Sequence, residues 1–314
     1  MPGGQDATFG YAAETTYGTY ATVNRFIEIR EESMRLEAEP LRSEGLNARR
    51  VVSRFRPGRI APQGSVGFEV PNRHLGGILA ATLGSVSTSG TGPYTHTFSA
   101  GDLTSRSLSV QIRKPALGSN PTHTYLGCKV TQLTLECEQG GWLTAEVEFV
   151  ARDESTTTTY VTPTFATGYS PFAWLDVSAT VGGSPLPIRS VRFEIQNPLA
   201  TERWFMRSTS PRLRDNPLES GKREITGSFV TDWDTDAIAR YAAFVAGTPA
   251  TIVVTANQAS DSQLIISANA YYSGQTPVVS GPELLPYETP FFCFHATSDS
   301  TAFNVQYITS EATI

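Results

Sequence analysis

The sequence predicts a mainly β protein: two duplicated antiparallel β-sandwich or barrel units, each with one short flanking helix and a long arm loop. The first sign is a faint internal repeat. Read with a shift of 163 positions and no gap, Gly58 meets Gly221, Gly64-Ser65 meets Gly227-Ser228, Ala80 meets Ala243 and Gly84 meets Gly247, five identities in 27 positions. The shared glycines fall at breaks, where the backbone needs them. Both copies read as turn, strand, polar loop, short apolar helix and glycine stop, and a duplicated β-rich unit suggests a part that packs against copies of itself. The second sign is composition. Charged residues make up only 17% of the 314 positions, with 26 Gly and 20 Pro, a profile of many short strands joined by turns. The third is a hairpin over 126–151, whose apolar and polar residues alternate on both arms.

From the start, residues 1–23 are small, polar and aromatic and read as an N-terminal arm. The repeat then divides the chain into a first β unit over 24–160 and a second over 161–314. Residues 24–37 begin as a strand and turn acidic. Residues 42–59 are rich in arginine: Arg42, Arg49, Arg50, Arg54, Arg56 and Arg59. A strand over 64–70, a helix over 74–83, a Gly/Ser/Thr loop over 85–92 and strands over 94–99 and 107–114 follow. In the hairpin, a three-residue loop at Gln139-Gly140-Gly141 pairs Leu135 with Ala145. Leu133, Leu135, Cys137, Leu143, Ala145, Val147 and Phe149 then share one face. Glu136, Glu138, Glu146 and Glu148 share the other, whereas a two-residue loop would mix the two sets.

Residues 153–168 read as a linker. The second unit restarts with strands over 174–181 and 188–196, then an arm over 197–216 carrying Arg203, Arg207, Arg212 and Arg214. A helix over 236–246 has Thr235 or Asp236 as its N-cap. Strands over 251–256 and 264–272 and a terminal pair over 291–296 and 302–308 complete the order.

The formal net charge of −6 argues against tight, non-specific phosphate binding. Only Lys114, Lys129 and Lys222 among the 24 basic residues are lysines, and an arginine excess suits planar contacts with carboxylates. No run approaches the ~18 apolar residues of a membrane span, and the opening residues carry no secretory signal. Cys128 and Cys137 on one strand are roughly 30 Å apart, beyond disulfide reach, so buried free thiols are expected. Thr95-His96-Thr97 and Thr122-His123-Thr124 look alike, yet lack neighbouring ligands and read as solvated strand or loop histidines. Asp232, Asp234 and Asp236 lack the glycine and distal glutamate of a calcium loop and read as a helix entry. Glutamate alternation on the hairpin explains the paired carboxylates without catalysis. No CxxC, HExxH, GxSxG or GxxxxGK[ST] is present. Neither an enzyme nor a cofactor or metal site is therefore expected.

Phe9-Gly10-Tyr11 with Glu14-Thr15-Thr16-Tyr17-Gly18-Thr19 resembles the frequent opening of the major tail tube proteins of long-tailed bacteriophages. The strand over 190–197, the arm after it and Gly221…Gly227-Ser228-Phe229 are similar to that family's strand–loop–strand core. The resemblance implies a structural virion protein whose β units join edge to edge into rings. The rings stack into a tube that conducts DNA during ejection, with tape-measure and terminator proteins as further partners, assembled in the host cytoplasm. Rings of that family usually hold six units, so two units per chain imply a ring of three chains, with a simple hexamer as the other arrangement. On this reading Glu136, Glu138, Glu146 and Glu148 face the lumen, where negative charge repels DNA phosphates; an ordinary solvated face gives the same pattern. Arg42, Arg49, Arg50, Arg54, Arg56, Arg203, Arg207, Arg212 and Arg214 become candidate inter-ring contacts, docking on the acidic 28–39 segment or an equivalent surface of the next ring. The competing reading is a carbohydrate- or receptor-binding β-sandwich of the virion, which predicts aromatics exposed on loops.

Overall fold

A computed structural model describes residues 3–46, 50–115, 121–274, 276–279, 284–295 and 302–314. Its first half contains β1 (Thr8–Ala13), β2 (Arg25–Ile27), β3 (Ile29–Glu32), β4 (Arg35–Arg42), β5 (Phe55–Glu69), helix α1 (Gly76–Leu83), β6 (Gly84–Ser89), β7 (Tyr94–Ala100), β8 (Leu108–Arg113), β9 (Thr122–Glu138), β10 (Thr144–Val150) and β11 (Asp153–Ser155). The second half contains β12 (Val177–Val181), β13 (Ser184–Leu186), β14 (Ser190–Gln196), β15 (Glu224–Asp232), helix α2 (Thr235–Ala246), β16 (Ala250–Ala259), β17 (Ser262–Tyr272), β18 (Pro286–Cys293) and β19 (Phe303–Thr309).

All the strand pairings are antiparallel, and they form two main layers. One runs β5–β10–β9–β14–β15–β18, with β3 and β4 on the outer side of β5. The other runs β13–β12–β16–β17–β19–β7–β6. Residues 270–272 of β17 also pair with 291–293 of β18, joining the layers at one corner. Phe193 on β14 meets Phe291 on β18 at 5.7 Å and Phe303 on β19, in the opposite layer, at 6.1 Å. One apolar cluster runs through both halves.

The hairpin register is the one the alternation requires. Leu135 pairs with Ala145, and all seven residues of the apolar set are buried. Strand β9 is long because it serves two sheets. Its first part pairs with β8 and β11, its second with β10 and β14, and Gly127 at φ 64° bends it between them. A side chain there would strike Tyr17 and Arg152.

Four local expectations change. Residues 8–13 are not an arm element: they form β1 between β2 and β8, with Phe9 and Tyr11 each 1% exposed. Their aromatic-glycine alternation supplies the buried face that a polar reading of 1–23 overlooked. Residues 84–89 are strand β6 rather than loop, because β7 offers them a full antiparallel ladder. The cap of α2 is Asp234, whose carboxylate accepts from the Ala237 amide at 2.8 Å, so the helix starts one residue before the expected boundary. The last two strands do not pair with each other: β18 lies between β15 and the end of β17, β19 between β17 and β7.

Candidate assembly interface

The solvent side of the first layer is an acidic field wider than the hairpin. Register sets Glu136 opposite Arg192, Thr134 opposite Glu194 and Gln132 opposite Gln196 on β14, which in turn faces Glu224 on β15. Alternation puts Glu136, Glu138, Glu146 and Glu148 on this one face, opposite the buried set. Arg192 bridges Glu136 at 3.0 Å and Glu194 at 3.3 Å. The Glu148 carboxyl is pushed above its ordinary range by partial burial first, then by the negative charges of Glu146 and Glu194. Glu194 and Glu224 were absent from the sequence-based set. Alternation along 190–196 signalled the face of Glu194; its place beside β9, and that of Glu224 beside β14, depend on long-range pairing.

Beyond Pro62 the β4–β5 hairpin leaves the sheet as a two-stranded ribbon. Every β4 residue is exposed, as are Arg54, Phe55 and Arg56. Leu41 (63%), Val51 (76%) and Phe55 (74%) carry apolar surface into solvent. A lone two-stranded ribbon is marginal in water. Arg42, Arg50, Arg54 and Arg56 are all exposed on it, while Arg49 lies outside the described residues.

The second arm behaves differently. It folds back on the base of the ribbon: the Ile60 amide donates to the Arg212 carbonyl at 3.1 Å, and Arg212 Nε donates to the Gly58 carbonyl at 2.6 Å. Trp204 lies between two guanidinium groups, Arg59 at 5.0 Å and Arg214 at 4.9 Å. Arg59 also reaches Glu202 at 2.7 Å. Arg214 is 2% exposed, donates to the Ala151 carbonyl at 3.0 Å and has its pKa lowered by burial. Arg207 pairs with Asp215 at 3.2 Å, and Arg203 stacks 5.7 Å from Phe205. Arg207, Arg212 and Arg214 thus hold their own arm, and Arg214 has no surface left for a neighbouring ring. Burial against β10's end, which local composition does not report, is the reason.

At the opposite end of the layer, beside the β9–β10 turn, a cleft of about 570 Å³ is lined by Trp174, Leu175, Pro187, Ile188, Glu138 and Arg189. Trp142 nearby is 48% exposed.

His96 is not solvated: it is 1% exposed, and its ring nitrogens meet the Thr88 hydroxyl and the Glu311 carbonyl, each at 2.8 Å. His123 bonds Glu154. Asp232 pairs with Arg189 at 2.6 Å while Asp234 caps α2. Cys128 and Cys137 are buried free thiols. Among the described residues no three His, Cys, Asp or Glu converge as metal ligands, and no helix is long and apolar enough to cross a membrane.

A family model described as phage tail tube protein matches residues 4–291, nearly the whole chain. No curated protein matches the sequence.

Proposed function

The chain belongs to the phage tail tube protein family, a structural component of the virion tail, and from that premise we propose that three copies close into a ring and that rings stack into a DNA-conducting tube. The observation that carries this reading is the β9–β14 junction. Seven residues on each strand join the first half to the second, edge to edge, within one sheet. Both halves also carry a strand, an arm and a second strand that feeds a helix: β4–β5–α1 and β14–β15–α2. If each half is one tube unit, the internal junction is the template for the junction between chains. The outer sides of β3 and β4 and of Pro286–Thr289 on β18 have no further strand beside them among the described residues. Pairing these edges around a closed ring removes the exposure that makes edge strands sticky. Three chains then give six units.

The acidic field with Glu136, Glu138, Glu146 and Glu148 lines the bore, repelling phosphates so that DNA slides. The ribbon with Arg42, Arg50, Arg54 and Arg56 reaches along the strand direction to the next ring, where charge sets register more than affinity. Tape-measure and terminator proteins meet the ends of the stack, and assembly takes place in the host cytoplasm.

Negative-stain microscopy of purified protein tests this: rings or tubes about 90–100 Å wide are expected, from six ~10 Å sheet pairs around a DNA-sized bore. Protein that stays monomeric at high concentration, with no such ring in native particles, refutes it. Replacing the four glutamates by lysine should leave rings intact yet make them retain DNA. A second reading, glycan or receptor binding by the virion, is favoured by the exposed Trp142 and Trp174 beside the cleft. Signal on a glycan array without ring formation would select it.

A further inference from the structure

Helices α1 and α2 follow β5 and β15 in corresponding order, but only one of them is covered. All eight residues of α1 are buried. Strands β6, β7 and β9 of its own half pack on it, and residues of the second half of the same chain complete the cover. Ile314 packs where a Gly76 side chain would stand. Asn197 Nδ2 donates to the Thr82 carbonyl at 3.0 Å, and Arg223 donates to the Leu83 carbonyl at 2.9 Å. These last two contacts also satisfy helix-end carbonyls that α1 leaves unbonded.

On α2 only Ala237 and Arg240 are fully buried. Ile238 is 52% and Val245 67% exposed, and Thr235, Ala239, Ala242 and Ala246 are exposed with them. At 100° per residue these six positions fall on one flank. The flank holds no charged residue, the reverse of a helix built to face water. At the start of the helix the Trp233 ring meets Tyr241 of α2 at 6.2 Å and Tyr287 of β18 at 4.8 Å.

We infer that this flank of α2, centred on Ile238, Ala242 and Val245, docks the first half of a neighbouring copy of this chain. The inference rests on the ring reading above. The chain itself shows how the cover of such a helix is completed: across the β9–β14 junction, Asn197 and Arg223 of the half that follows α1 close its C-terminal end. The half that follows α2 in a ring is the first half of the next copy. The start of α2 also lies beside the open stretch of β18, through Trp233 against Tyr287 and the Leu285 carbonyl, where that copy's edge would lie. An uncharged flank of small and branched residues fits close packing of protein against protein.

The test compares wild type with the double variant Ile238→Glu, Val245→Glu by light scattering and electron microscopy. Both side chains are solvent-facing in the free subunit, so circular dichroism and melting temperature should be unchanged while assembly falls at least tenfold. Hydrogen exchange on wild type supplies a measurement that no variant can spoil by misfolding: amides of 238–246 should slow on assembly. A double variant that assembles like wild type, with α2 exchanging equally in rings and free subunits, overturns the inference and leaves the ring reading standing. A variant that closes rings but fails to stack them assigns the flank to a contact between rings and overturns the lateral one. Wild type that never assembles brings both down.

Discussion

Where α1 carries Gly77, α2 carries Arg240 at the repeat-equivalent position. A side chain on Gly77 would strike the Tyr11 ring at 2.5 Å. Arg240 instead lies 5.7 Å from the Phe229 ring and donates to the Thr231 hydroxyl at 2.7 Å. Leu79, wholly buried on α1, corresponds to the exposed Ala242 on α2. The shared glycines at Gly84 and Gly247, with φ 91° and 69°, stop both helices, so the frame is alike and the flanks differ. The contrast teaches that the strand–helix frame does not decide burial; the neighbour available to cover the helix does.

The largest effect that could break this contrast is expected from Leu79→Ala. A wholly buried leucine lost from a core should cost about 2–5 kcal/mol, read as a shift in the urea midpoint of the free subunit; a cost under about 1 kcal/mol would mean α1 is as loosely held as α2. Gly77→Ala comes next, at about 1–3 kcal/mol, because Tyr11 is buried and tied to the His74 carbonyl and cannot retreat.

The buried cations sharpen the comparison through pH. Lys129 on β9 donates to the Leu103 and Thr104 carbonyls, and burial draws its pKa down to about 8. The unfolded chain keeps that proton up to about 10.4, so the Lys129 contribution should rise as pH climbs from 8 to 10. Burial raises the pKa of Cys128, Cys137 and Cys293, which slope the other way, so the contribution is read as wild type minus Lys129→Met. The gain is up to about 2 kcal/mol and disappears in Lys129→Met. Arg240, although burial lowers its pKa, stays charged throughout and should give no such slope. Urea midpoints measured across the range check both. Asp234→Ala should cost about 1 kcal/mol, seen as faster exchange in the first turn of α2; α1 has no side-chain cap to lose. The smallest effect is expected from Ala242→Leu, the mirror of Leu79, which should move the free subunit's stability by less than about 0.5 kcal/mol.

Part of this was readable from residues alone. Alternation fixed the register of the hairpin because a slip of one would invert every side chain. Short apolar runs ended by glycine located both helices. Pairing between distant strands was not readable: alternation in 190–196 announces an apolar face without saying that β9 lies beside it. The acidic field was therefore seen only in its β9–β10 part. Arg214 was read as surface charge because arginines cluster in its arm, yet the Ala151 carbonyl and the Trp204 ring take it inside. Asp234 was passed over as a cap because the two residues after it cap helices equally well by composition.

Two strand ladders stitch the halves together, β9–β14 in one layer and β7–β19 in the other, beside single bridges at Pro71–Pro171 and Trp142–Ala173. The exposed stretch near 156–168 runs between them without carrying either seam. A protease nick there should leave two fragments that co-elute until denaturant parts them, and the same pieces made as separate polypeptides would re-form one subunit on mixing.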